Sequence, residues 1–365
     1  FFSFILVFLV SLTIILSSTG IKTKKFNNFI SQKINQSNEK LKLNFKAIKF
    51  KLDLREVSLF LETEDPRIYY RDVLIPTKKI KVYVDFFSII KSNIQIKKIT
   101  LNLNRININQ LKNLSKSFKP SNLKSLINNK LKQGEINSEI EFFLDDRNLI
   151  SDFIARGTAE NLSIDIIDDI KLKDTSFSFF ADRTDVLVKN FFSKSNFFLI
   201  EDGDLRAELS PEVNIVSNFK SILKINDEFK KLKKLFPNLG NFKSLSNVQA
   251  SLNNNLTLNF DKTYKLINFN YKNNGKITKA DLNLEKYNLD YFSNRGINQL
   301  SLINSEIETN FNSKKNFINI SGQYSLNKGN ILNFNMSNSI SKDLLDLKLT
   351  VDFDEILEFK ILNYI

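Results

Sequence analysis

The sequence predicts a mostly β chain, with an N-terminal transmembrane helix followed by antiparallel strands and short helical insertions. Three observations predict it. The opening stretch Phe1–Ile21, FFSFILVFLVSLTIILSSTGI, carries no charge. From Leu41 onward apolar residues recur at every second position. Short polar connections separate these runs, so neighbouring strands should pair antiparallel.

As a helix, Phe1–Ile21 would span roughly 32 Å at about 1.5 Å per residue, close to the ~30 Å hydrocarbon core of a bilayer. Lipid offers no partner for an open amide, so such a segment must be helical. A cleaved secretory signal is the competing reading, with Ser17-Ser18-Thr19-Gly20 small enough for a protease. The anchor is preferred because the apolar run continues to Ile21. Both readings carry the body across the membrane, although Lys22, Lys24 and Lys25 point the other way under the positive-inside rule.

Residues 22–40 read as a juxtamembrane helix, with Phe26, Phe29, Ile30 and Ile34 on one stripe. A first β block is expected over 41–216. Leu41, Leu43, Phe45 and Ala47 alternate, then Ile48, Phe50, Leu52 and Leu54 alternate in the opposite phase. That shift predicts a β-bulge near Ala47. Val57–Leu61 is the next strand, with a turn over 62–66. Two short helices around Pro120 interrupt the block near 110–133. Asp202-Gly203, Asn274-Gly275 and Lys328-Gly329 read as hairpin turns. A helical insertion is expected over 217–240, and a second β block over 241–365. The chain opens without Met and ends in an apolar run, Leu357–Leu362, and so reads as a fragment.

Composition narrows the function. There is no cysteine and no histidine, which removes disulfides, thiolate nucleophiles, Ser-His-Asp catalysis and His or Cys metal sites. The expectation is a non-enzyme with no cofactor and no metal. The net charge of +13 suits nucleic acid. However, Lys46, Lys49, Lys51 and others are scattered between apolar positions like the solvated face of strands, and no nucleic-acid module accompanies them. Asp145-Asp146 and Asp168-Asp169 are adjacent pairs; on a strand such neighbours point to opposite faces, so they read as turns rather than sites. The 34 Phe residues are the one excess with a functional look, either as core or as a wall against acyl chains.

Strands with one apolar face fit a sandwich, which buries that face on a second sheet, or a curved sheet whose dry face lines a groove. Alternation leaves both open. The stretch Leu54–Leu111 contains Asp85-Phe86-Phe87-Ser88-Ile89-Ile90, followed by apolar Ile94, Ile96, Ile99 and Leu101. Behind a membrane helix, this resembles the start of the AsmA-like family, the AsmA, TamB and YhdP group. Phe153–Asn190 is similar to the middle of the YhdP branch. The resemblance implies an inner-membrane protein with its body in the periplasm. It also implies an elongated, repeating β-groove that conducts phospholipid toward the outer membrane. An assembly or scaffold role for outer-membrane proteins, as in the TamB branch, is the alternative, and a secreted β-sandwich binding protein is another.

Partners implied are phospholipid acyl chains, the inner membrane through 1–21, and outer-membrane or periplasmic proteins. If the strands Ile80–Phe86 and Ile99–Leu103 pair, then Ile80, Val82, Val84, Ile99, Leu101 and Leu103 share one face and would line the groove. Lys79, Lys81, Lys98 and Asn102 would share the other. Val82→Asp with Leu101→Asp is then expected to block the groove without unfolding the chain.

Overall fold

A run of apolar residues ends as a helix only where the backbone can be capped, and here that point is Gly20. Helix α1 covers Phe2–Ser18, 17 residues. Gly20 has a φ of +72°, and its amide and that of Thr19 both donate to the Ile15 carbonyl at 2.8 and 3.1 Å. This is a left-handed glycine closing a helix C-terminus. Ile21 therefore leaves the helix and enters strand β1, Ile21–Thr23. The expected Phe1–Ile21 span is shortened accordingly, to about 25 Å at 1.5 Å per residue. Among the described residues no helix is long and apolar enough to cross a membrane.

The structure, a computed structural model, describes residues 2–25, 27–28, 31–32, 40–54, 56, 58–84, 95–117, 122–147, 149–167, 170–210, 212–225, 245–261, 265–284, 297–341 and 344–353. Of the helix expected over 22–40, residues 22–23 are strand and 27–28 and 31–32 are helical. Phe26, Phe29, Ile30 and Ile34 lie outside the described residues, as do the 85–90 motif, Ile94, Pro120, Asp168-Asp169 and the 357–362 run.

The chain is mostly β and its pairings are antiparallel. It divides into two compact units, 1–164 with 178–184, and 165–177 with 185–365. Of the helical insertion expected over 217–240, residues 226–240 lie outside the described residues. Residues 217–225 belong to strand β15 (Val213–Ile225), with Phe219 and Leu223 on one face and Ile222 on the other, and not to a helix.

In the first unit, β1 pairs with β3 (Ala47–Asp53), β3 with β4 (Ser58–Glu64), β4 with β7 (Thr77–Val84), and β7 with β8 (Ile96–Leu103). Strand β8 pairs in turn with β10 (Leu131–Leu144), and β10 with β11 (Ile150–Ile167). A separate three-stranded sheet is formed by β2 (Leu41–Asn44), β5 (Arg67–Tyr70) and β6 (Val73–Ile75). The phase change at Ala47 is thus a crossing between two sheets, not a bulge. Residues of opposite phase face different partners, and the Lys46 amide is held by the Glu64 carbonyl at 2.9 Å as the chain crosses. The turn after β4 is confined to Asp65-Pro66, because Glu62, Thr63 and Glu64 stay in the strand.

Strand β9 (Ile106–Asn107) leads into the two helices, α2 at Ile108–Lys116 and α3 at Asn122–Asn129. Asn107 starts α2 through a capping box with Gln110, its side chain accepting from the Gln110 amide at 2.9 Å. The expected helical region ends early: Leu131 and Gln133 are already in β10.

In the second unit the strands follow one another from β13 (Asp185–Lys194) through β14 (Phe198–Glu208), β15 and β16 (Leu245–Phe260). They continue through β17 (Leu266–Asn283), β18 (Gln299–Asn312), β19 (Lys315–Leu326), β20 (Leu332–Ser341) and β21 (Leu344–Val351). Strand β12, Ile170–Ala181, is shared between the units.

Two of the three expected hairpins are absent. Gly203 lies inside β14, and Gly275 inside β17. A Cβ at Gly275 would sit 2.1 Å from the Ser251 carbonyl oxygen, so glycine here permits close approach of two strands, not a turn. The turn that precedes β17 is closed instead by Asp261, whose amide donates to the Lys265 carbonyl at 3.0 Å. The third expected hairpin is present: Asn327 and Lys328 have φ of 49° and 63°, and the Gly329 amide donates to the Leu326 carbonyl.

Candidate functional site

The site expected from sequence begins with β7 and β8, and their register places it. Ile80 pairs with Leu101 and Val82 with Ile99, so all four share a face. Lys79 opposite Asn102, Lys81 opposite Thr100 and Tyr83 opposite Lys98 share the other. Val84 and Leu103 lie at the ends of the ladder, beyond register shifts at Tyr83/Val84 and Thr77/Lys79.

The face meets protein. Ile80, 4% exposed, forms a buried cluster with Leu43 and Ile68, against which Leu41, Phe45, Ile75, Val82, Ile99 and Leu101 pack. The small sheet β2-β5-β6 is therefore the cover. As lining for a lipid groove, Ile80, Val82, Ile99 and Leu101 are corrected to core residues. The physical reason is the crossing at Ala47, which delivers β2 onto this face.

The opposite face of the first unit is a polar network on aromatic rings. Phe60 stacks on Tyr83 with centroids 5.1 Å apart, and the Lys98 ammonium lies 4.4 Å from the Tyr83 centroid while pairing with Glu56 at 2.6 Å. Glu62 accepts from Lys51 at 3.3 Å and Lys79 at 3.5 Å. Burial, then the negative charges of Asp53, Glu56 and Glu141, push the Tyr83 phenol well above the ordinary tyrosine value. These groups satisfy one another.

Asp145 closes the β10–β11 turn, accepting from the Leu149 and Arg147 amides at 2.9 Å each. The hydrogen bond from Leu149, ahead of those from Arg147, holds its carboxyl below the ordinary range. Among the described residues no three acidic, His or Cys side chains are grouped to hold a metal.

The second unit carries an apolar face of a different kind. Its rows run across the strands: Ile215, Leu258 and Phe269; Leu256, Tyr271 and Phe311; Leu252, Gly275, Ile307, Ile320, Met336 and Leu349. Toward one end of the strands Phe197, Ile225, Val248, Ala250, Ile277 and Ala280 bury one another in a core. Elsewhere the face is half-buried, and at β21 Leu347 and Leu349 are 55% and 57% exposed. Among the described residues no second sheet belongs to this unit.

The reverse face is hydrophilic in equally regular rows. One row is Ser251, Lys276, Glu306, Ser321, Asn335 and Thr350. The next is Asn253, Asn274, Glu308, Asn319, Ser337 and Lys348. A cavity of about 1030 Å³ lies over these residues. Its wall is polar, with two Lys against two Glu, which is the solvated side of the sheet.

Sequence reasoning missed a polar row within the apolar face. Asn254 pairs with Asn273, and Asn273 with Thr309. The signal was there in the alternation: Ala250, Leu252, Asn254, Leu256 and Leu258 share a phase that only Asn254 breaks. No protein-family model matches the chain, and neither a curated protein nor a solved structure matches it.

Proposed function

We propose that the chain is a non-enzymatic lipid-binding protein of the AsmA-like type, conducting phospholipid between the inner and outer membranes. Its acyl chains would lie against the second unit, not at β7 and β8. One observation carries this reading: a row of mostly apolar residues continues across paired strands from Leu252 on β16 to Leu349 on β21, without a covering sheet among the described residues. Apolar surface left in water is unfavourable by roughly 25 cal/mol per Å². Acyl chains remove that cost without requiring a unique geometry, so lipid can slide.

Helix α1 supports membrane attachment. It is apolar on every side, with Phe4 76% and Val7 61% exposed. A helix of about 25 Å is accommodated in a bilayer by local thinning and by its polar flanks. We place it in the inner membrane with the strands in the periplasm.

The test is mass spectrometry of lipid extracted from the purified full chain, compared with a Leu258→Asp, Phe311→Asp variant. Stoichiometric phospholipid on the natural chain, lost in the folded variant, is the expected result. A natural chain free of phospholipid contradicts the reading.

A further inference from the structure

The apolar face is crossed by one hydrogen-bonded belt, and the belt ends in oxygens that meet no donor. It begins at Ser221. The Asn254 amide nitrogen donates to Ser221 Oγ at 2.9 Å and to the Phe219 carbonyl at 3.1 Å. Tyr271 Oη donates to Asn254 Oδ1 at 2.7 Å, and Asn273 Nδ2 donates to Tyr271 Oη at 3.2 Å. A phenol has one proton to give. Tyr271 gives it to Asn254, so Asn273 can only donate to Tyr271, and its own Oδ1 receives nothing. Beside it, Thr309 is 5% exposed and its Oγ1 has no hydrogen-bond partner either. Across the next strand Thr309 faces Ile318, which has no side-chain donor to offer.

We propose that Asn273 and Thr309 form a hydrogen-bonding subsite for a neutral, hydroxyl-bearing amphiphile such as a monoacylglycerol. This rests on the reading that the face takes acyl chains. Directly paired residues on adjacent strands hold their Cβ atoms about 4.5–5.5 Å apart, so the two open oxygens suit neighbouring hydroxyls of one ligand. The belt contains no charged residue, so it offers nothing to a phosphate. Apolar rows flank it, with Leu256 and Phe311 on one side and Leu252 and Ile307 on the other. A ligand anchored at the belt therefore has acyl-binding surface next to it. An unpaired buried oxygen is costly, and a hydroxyl removes that cost where a plain hydrocarbon does not.

The experiment is isothermal titration of the full, delipidated chain with 1-monodecanoylglycerol and with methyl decanoate, which lacks the hydroxyls. The natural chain is expected to prefer the monoacylglycerol roughly tenfold, the factor for about 1.4 kcal/mol. Asn273→Leu with Thr309→Val should erase that preference and leave methyl decanoate binding unchanged. Thr309→Ser, which keeps the hydroxyl and the fold, should retain it. Equal affinity for both ligands, or a preference that survives the double variant, overturns the subsite and leaves a belt satisfied by water. If neither ligand binds the natural chain, the acyl-binding reading falls with it.

Discussion

Single buried polar groups give this chain its pH response. Tyr83 and Tyr271 are both pushed above the ordinary tyrosine value, chiefly by burial. The folded state keeps these protons at a pH where the unfolded chain has released them. Their contribution is therefore complete below about pH 10 and is lost as pH rises through the folded values. Urea melts should show stability falling as pH rises above about 10, with a shallower fall in Tyr83→Phe; an unchanged slope would remove Tyr83 from the account. Asp281 acts at the other end of the scale. Burial opposes its charge, but hydrogen bonds from Ser301, Lys279 and Asn247 outweigh that and hold its carboxyl below the ordinary range. Its contribution is present above about pH 4 and fades as pH falls through the lowered value. Asp281→Ala should cost about 1–3 kcal/mol at pH 7 in a denaturant melt, and less at pH 3.

The strands depend on residues that bend them. Asn247 and Asn304 have φ of 48° and 45° and sit where the registers of β16–β17 and β18–β19 shift. Left-handed backbone costs most side chains roughly 1–2 kcal/mol, and asparagine tolerates it. Asn304→Val should lose that amount of stability while Asn304→Gly does not, and thermal melts of the two variants separate the outcomes. The alternation itself was legible: β7, β8, β10, β16 and β21 fall where period-two apolar residues put them. Turn chemistry misled at Asp202-Gly203 and Asn274-Gly275, because glycine serves close strand approach as well as turns. The two-residue turn at Arg71-Asp72, with φ of 47° and 63°, was invisible for the converse reason, since neither residue belongs to the usual Asn-Gly pair. The crossing from β2 to β3 was visible only as a change of phase, and alternation alone does not say whether a phase change is a bulge or a new sheet.

Within each unit, what covers the apolar face decides what a substitution does. In the first unit Val82 lies under β2, β5 and β6, so Val82→Asp buries an unpaired charge and should cost more than about 3 kcal/mol, seen as a lowered Tm. In the second unit Leu258→Asp places its charge on a face without a covering sheet among the described residues, and should leave the circular dichroism spectrum intact while weakening lipid binding. By alternation alone Val82 and Leu258 are alike, each on the apolar phase of its strand; only the tertiary cover distinguishes them. The central claim is that acyl chains contact the second unit's apolar face. Photo-crosslinking of the full chain with a phospholipid carrying a diazirine in its acyl chain tests it most directly. Peptides containing Leu256, Phe269 and Phe311 are predicted to carry the adduct, and those containing Ile80 and Val82 are not. Adducts confined to α1, or to the row of Asn253, Asn274 and Glu308 on the reverse face, would contradict the account.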